Sequence, residues 1–255
     1  MAFDVAATSY DRFMGAWSGP LSGRFADFAG ITPGSTALDV GCGPGSLTTV
    51  LVGRLGADRV AAVDPSAPFV EAARARHPGV DVRQASAETL PFPDGAFDAA
   101  LAQLVVHFMT DPVAGLREMA RVTSIGGVVA ACVWDFGTER APLSTFWRAV
   151  LQLDPAAHDE SGLAGARSGD LERLFGEAGL EAIAGDELTV ERSFAGFDDW
   201  WEPYTWGVGP AGSYVEALDE QRRAALRDRC RELLPDGPFS LNAVAWAVRG
   251  RAAAR

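Results

Sequence analysis

The chain contains no lysine, and all 22 of its basic residues are arginine. That absence excludes Schiff-base chemistry, a pyridoxal phosphate aldimine and the lysine of a phosphate-binding P-loop. Cysteine is nearly as scarce. Cys42, Cys132 and Cys230 are odd in number and widely spaced, which speaks against a disulfide framework or a zinc site and for a reducing compartment, with no metal. No run approaches the roughly twenty apolar residues of a membrane span, and the N-terminal MAFDVAATSYDRF lacks a basic segment followed by an apolar one. A soluble cytoplasmic protein is expected. Positive charge is short overall, because 34 acidic side chains against 22 arginines leave a net charge of -12. Such a balance gives a poor electrostatic footprint for nucleic acid or an anionic membrane, so the expected partner is a small molecule.

What the chain does have is a long alternating pattern. From Thr36 to Trp134, short β-rich runs (ALDV, RVAAVD, VDVRQA, FDAALAQLVV, GGVVAACVW) alternate with helical stretches that open at Ser46, Pro68 and Pro112. This order implies right-handed βαβ units on a parallel sheet covered by helices on both faces. Further on, a helix from Asp170 to Gly179 precedes a strand near Ile183 to Phe194, and FSLNAVAWAVRGR supplies the last strand. The expected architecture is an α/β, Rossmann-like doubly wound, mostly parallel seven-stranded sheet with an antiparallel last strand. At 255 residues a single domain suffices. Residues 1–30 read as an N-terminal helical cap, 31–134 as the ligand-binding core, and 135–168 and 195–238 as helical inserts. Within the cap, two short helices are expected around Asp4 to Ala16 and Leu21 to Phe28, separated by Gly19 and Pro20.

The densest signal is ALDVGCGPGSLTTVL at the first strand-to-helix junction. Gly41, Gly43 and Gly45 permit a tight turn with positive φ and let a ligand lie against backbone amides. The spacing is G-x-G-x-G with Pro44 inside it, not the G-x-G-x-x-G of a dinucleotide site. Asp39 just before the turn would repel a pyrophosphate and attract an ammonium group. Asp64 ends the second strand, where a carboxylate accepts from both hydroxyls of a ribose. Glu88 in ASAETLPF stands where the edge of a base would lie.

Together, LDVGCGPG, AVDPS and SAETLPFPDGAFD resemble the class I S-adenosylmethionine-dependent methyltransferases, in particular small-molecule enzymes similar to the ubiquinone and menaquinone C-methyltransferases. The resemblance runs over most of Tyr10 to Val133. It implies S-adenosyl-L-methionine as cofactor, with Gly41, Cys42, Gly43 and Gly45 beneath its methionine and ribose portions and Asp39 helping to hold its amino end. It further implies Asp64 and Pro65 at the ribose, Ala87 and Glu88 on the adenine side, Gln103 and Leu104 along the methionine and methyl group, and Tyr10 closing over the cofactor.

His107 follows the fourth strand and is the one histidine placed to accept a proton from a methyl acceptor, although methyl transfer from a sulfonium needs mainly alignment and desolvation. His77, before Pro78, and His158, in an acidic loop, read as solvated. Trp134, Trp147, Trp200, Trp201 and Trp206, with Phe136, Phe146 and Tyr204, read either as core or as an apolar acceptor pocket roofed also by Phe13, Met14 and Trp17. The arginines of EQRRAALRDRCRELL read as a solvated helix face paired with acids. The reading is methyl transfer to a small apolar or aromatic molecule by in-line attack, in a monomer or homodimer. A nicotinamide-dependent oxidoreductase and a non-catalytic S-adenosylmethionine-binding protein stay open as alternatives.

Overall fold

In the computed structural model, which describes residues 7–254, the N-terminal cap forms α1 (Ala7–Tyr10), a wide π-helical turn (Asp11–Gly15) and α2 (Ala16–Ala29). The core follows as β1 (Ala37–Val40), α3 (Ser46–Leu55), β2 (Val60–Asp64), α4 (Ala67–Arg76), β3 (Asp81–Gln84), β4 (Phe97–Gln103), α5 (Pro112–Val122) and β5 (Thr123–Trp134). Then come α6 (Ser144–Leu153), α7 (Asp170–Glu177), β6 (Glu181–Phe194), α8 (Phe197–Trp201), α9 (Gly209–Ala217), α10 (Glu220–Glu232) and β7 (Phe239–Arg251).

The seven strands lie in the order β3-β2-β1-β4-β5-β7-β6. All pairings from β3 to β5 are parallel, and β7 runs antiparallel to both β5 and β6. The strand order reverses between β1 and β4, so the crevice beyond their carboxyl ends is the place where an open α/β sheet binds ligands. The apolar runs are buried on both faces. Leu21, Phe25, Leu47 and Leu51 pack over one side, while Leu116, Met119, Leu171 and Phe175 cover the other.

Two sequence expectations are corrected here. Gly19 and Pro20 do not split the cap, because both lie inside the continuous α2. Pro20 removes one donor from α2 close to its start, and Ser22 Oγ donates to the Ser18 carbonyl in the same turn. The part of the first cap helix before Ala7 lies outside the described residues. The run FDAALAQLVV does not stay extended, since the strand stops at Gln103 and Leu104 turns into the left-handed region at φ +62°.

For the aromatic inserts the fold decides between the two readings left open. Trp147, Trp200, Trp201 and Tyr204 are core residues, with Trp200 ring-to-ring against Tyr204 at 4.8 Å and Tyr204 stacked on Phe146 at 4.6 Å. Trp17 is buried in the same core, and Trp206 lies under the guanidinium of Arg12. Because Trp200 is only 2% exposed, Trp200→Ala should cost about 3–5 kcal/mol of stability. A thermal melt reads this as a large drop in melting temperature, whereas an unchanged melt with weakened acceptor binding would restore Trp200 to a ligand pocket. The arginines of α10 behave as expected, with Arg227 and Arg231 on Asp198, Arg229 on Glu232 and Arg222 on Asp219.

Candidate functional site

The glycine loop is held from all sides. Gly41, Gly43 and Gly45 all have positive φ, and an added Cβ at Gly41 would fall 2.6 Å from Val105 Cγ1 and closer still to Cγ2. Gly41 N–H and Cys42 N–H both donate to the Val63 carbonyl, at 2.8 and 2.9 Å, and Gly45 N–H donates to the Cys42 carbonyl. Gly43 N–H donates to Asp64 Oδ2 at 2.9 Å, while Ser66 N–H donates to Asp64 Oδ1 at 2.8 Å. Burial raises the pKa of Asp64, and these two amide bonds oppose the rise.

This bonding corrects one expectation. The loop amides do not fan out toward a ligand, because those of Gly41, Cys42, Gly43 and Gly45 are all engaged and Pro44 has none. A pyrophosphate would find few donors here, which weighs against a dinucleotide. The carboxylate of Asp64 braces the loop and retains further lone pairs for a hydroxyl.

His77 is also corrected. It is buried beneath the loop, with Nε2 at 3.1 Å from Thr49 Oγ1 and 3.2 Å from the Gly45 carbonyl, and burial lowers its pKa. A Cβ at Gly45 would lie 2.8 Å from that nitrogen. Nothing local in HPG announced a packing role 32 residues from Gly45. His158 is exposed, as its acidic loop suggested.

Inside the crevice, a cleft is lined by Tyr10, Ser18, Asp39, Gly41 to Pro44, Ser46, Leu47, Gln103 and Leu104. Asp39 is 1% exposed and accepts from Thr48 Oγ1 at 2.6 Å, and burial pushes its pKa up to about 7. Gln103 Nε2 donates to the Ser18 carbonyl at 3.1 Å, which leaves Gln103 Oε1 buried with no hydrogen-bond partner. Two buried acceptors therefore border one cleft that lacks any arginine, a donor set suited to an ammonium group. Tyr10 packs on Phe69 and lies about 4 Å from a Cβ built on Gly43, and burial with Asp64 and Asp11 nearby keeps its hydroxyl protonated.

The remaining predicted residues lie along the carboxyl edges of β2 and β3. Pro65 accepts from Gln84 Nε2 at its carbonyl, and Ala87 is buried. Glu88 Oε1 accepts from Thr110 N–H at 2.8 Å and Asp111 N–H at 3.3 Å, so this carboxylate braces the loop before α5.

A second cavity opens beside the first and shares Tyr10 and Leu104 with it. Of the residues read as a possible acceptor pocket, Phe13, Met14, Trp134 and Phe136 line it, together with His107, Phe108, Leu143, Glu160, Val208 and the first residues of α9, Gly209 and Pro210. Burial drives the His107 pKa down to about 3, so its imidazole is neutral and weakly basic at neutral pH. Sequence reasoning missed Glu160, whose Oε2 accepts from Trp147 Nε1 at 2.8 Å. It also missed the left-handed Leu104 between the two cavities, an uncommon conformation for a bulky side chain.

Residues 38–131 match the family model of a methyltransferase domain. The malonyl-[acyl-carrier protein] O-methyltransferase of Erwinia billingiae is 36% identical over 129 residues, which cover 50% of this chain and 50% of that protein. The ubiquinone/menaquinone biosynthesis C-methyltransferase of Stenotrophomonas maltophilia is 37% identical over 106 residues, 39% of this chain and 42% of that protein. The chain spans about half the length of these curated relatives. A solved structure of geranyl diphosphate methyltransferase in complex with S-adenosylmethionine shares the fold, with a TM-score of 0.51, 17% identity, and 91% of this chain and 85% of that one covered. Among the described residues, no helix is long and apolar enough to cross a membrane, and no cluster of three or more metal-binding side chains occurs.

Proposed function

We propose that this chain, whose residues 38–131 match a methyltransferase domain, is an S-adenosylmethionine-dependent methyltransferase and methylates a small molecule held in the cavity beyond Leu104. S-adenosylmethionine is the cofactor, and when bound it supplies an electrophilic methyl group and leaves as S-adenosylhomocysteine. The observation that carries the reading is the pair of adjoining cavities that meet at Tyr10 and Leu104. One has buried acceptors and an acid-braced glycine loop; the other is mostly apolar.

In this reading Asp39 and Gln103 Oε1 hold the cofactor's amino end, and Asp64 accepts from its ribose hydroxyls through lone pairs that the loop amides leave over. Tyr10 covers the junction and excludes water, which strengthens every electrostatic contact inside. Leu104 sets the spacing between the cavities. The acceptor's reacting atom needs alignment and desolvation more than acid-base help, so His107 acts as a neutral wall and hydrogen-bond partner.

Calorimetric titration of the full chain with S-adenosylmethionine, S-adenosylhomocysteine and NAD tests the reading. Micromolar binding of the two sulfur compounds without NAD binding is expected. Binding of NAD alone would make hydride transfer the better reading, while tight cofactor binding with no methylation of any acceptor would favour a non-catalytic role.

A further inference from the structure

We infer that the acceptor is an amine on a compact apolar body and that Glu160 binds its nitrogen, an inference that rests on the methyl-transfer reading and names its substrate class. Glu160 lies on a short 3-10 turn (Glu160–Gly162) between α6 and α7 and is 4% exposed. Around it the cavity is walled by the rings of Tyr10, Phe13, Phe108, Trp134 and Phe136, and no arginine is among the lining residues.

A buried carboxylate is costly unless a cation or several donors compensate it. Among the described residues Glu160 has no ion pair, and its side-chain hydrogen bond is to one neutral donor, the Trp147 indole. The missing compensation is a positive charge, and a ligand ammonium provides it. The aromatic walls favour the same charge, because ring faces attract cations. A carboxylate or phosphate on the acceptor would instead face Glu160 with like charge and no arginine to offset it.

The carboxyl is also suited to the proton that an amine must lose before its nitrogen can be methylated. Burial holds Glu160 at about 7, above an ordinary carboxylate, whereas the neighbouring His107 at about 3 is too weak a base to compete. The proton passes from the ammonium to Glu160, leaving a neutral amine with its lone pair and a neutral carboxylic acid, and then goes on to water.

The test is calorimetric binding of phenethylamine, 2-phenylethanol and phenylacetate to the full chain saturated with S-adenosylhomocysteine. These probes share a phenyl body and differ in charge. Phenethylamine should bind at least about tenfold more tightly than the alcohol, with phenylacetate weakest. Glu160→Gln should erase the preference while leaving S-adenosylhomocysteine affinity and melting temperature near wild type, since Gln keeps an oxygen for the Trp147 indole. Equal binding of amine and alcohol, a preference for phenylacetate, no binding of phenethylamine, or a preference that survives Glu160→Gln would each overturn the inference. If S-adenosylhomocysteine itself fails to bind the wild-type chain, the methyl-transfer reading falls, and the inference with it.

Discussion

Gly41→Ala is expected to weaken S-adenosylhomocysteine binding by about 100-fold, roughly 3 kcal/mol. Gly41 sits at φ +71°, where any Cβ is strained, and the new methyl would come within 2.6 Å of Val105 Cγ1. Val105 cannot yield cheaply, because a β-branched side chain has little rotamer freedom. Left-handed strain and overpacking each cost about 1–3 kcal/mol, and the loop relieves them by moving away from the cleft it lines. Cofactor binding must then force the loop back. Gly53→Ala is the control, since that glycine is exposed in α3 with nothing within 4 Å of an added Cβ. Its affinity should match wild type, and its stability should hold or rise by up to about 1 kcal/mol. Calorimetry on both variants decides the matter. Wild-type affinity in Gly41→Ala would remove the loop from the binding site.

The loop could be read from the sequence because its requirement is local. Three glycines between a strand and a helix declare a turn that side chains would spoil, whatever packs on it. What packs on it was not legible. Val105 lies 64 residues from Gly41, and His77 lies 32 from Gly45; only the sheet order brings them together. His77 also shows how a helix-end position misleads. A histidine before Pro78 looks solvated by local rules, yet the chain folds it under the turn, where Thr49 and the Gly45 carbonyl satisfy its ring.

The same division runs through the fold. Strands and helices of the core were legible where the period was clear, as in VAAVD at β2 and the stretch opening at Pro112 that forms α5. The run FDAALAQLVV had the composition of one strand, but composition does not register a backbone turn. Leu104 leaves the strand at φ +62° while its N–H donates to the Cys132 carbonyl of β5, so a tertiary bond fixes the break. Pro20 failed in the opposite direction, because a helix breaker near the start of a helix removes one donor and the packed helix runs on through it.

The acceptor side was the least legible. Trp134, Trp147, Trp200, Trp201 and Trp206 read either as core or as an acceptor pocket, since a large ring satisfies both. All of Trp134, Trp147, Trp200 and Trp201 are buried in one core, and what separates them is position, for Trp134 lines the second cavity and the other three do not. Glu160 carries no sequence signal, as one acid among 34 acidic residues. Its distinction is tertiary. The fold removes it from water, sets an indole N–H on one oxygen and surrounds it with rings.

Asp64→Ala should weaken cofactor binding by about 100-fold or more, and it should also lower the stability of the protein alone. Both carboxylate oxygens accept backbone N–H bonds, from Gly43 and Ser66, so removal strands two donors at a part-buried site. Each stranded donor costs about 1–3 kcal/mol, and in a chain of this size about 2 kcal/mol corresponds to a melting-temperature loss of roughly 4–8 °C. Asp64→Asn separates charge from bracing only in part. Its oxygen can accept from one of the two amides, but its NH₂ then opposes the other, so it should lie between wild type and Ala in both measurements. If Asp64→Ala lost affinity with an unchanged melt, the acid would serve the ribose and the loop would stand without it. If both affinity and melt stayed at wild type, Asp64 would leave the site altogether. The expected result, a joint loss, would make one carboxylate responsible for both the shape of the glycine loop and the grip on the cofactor.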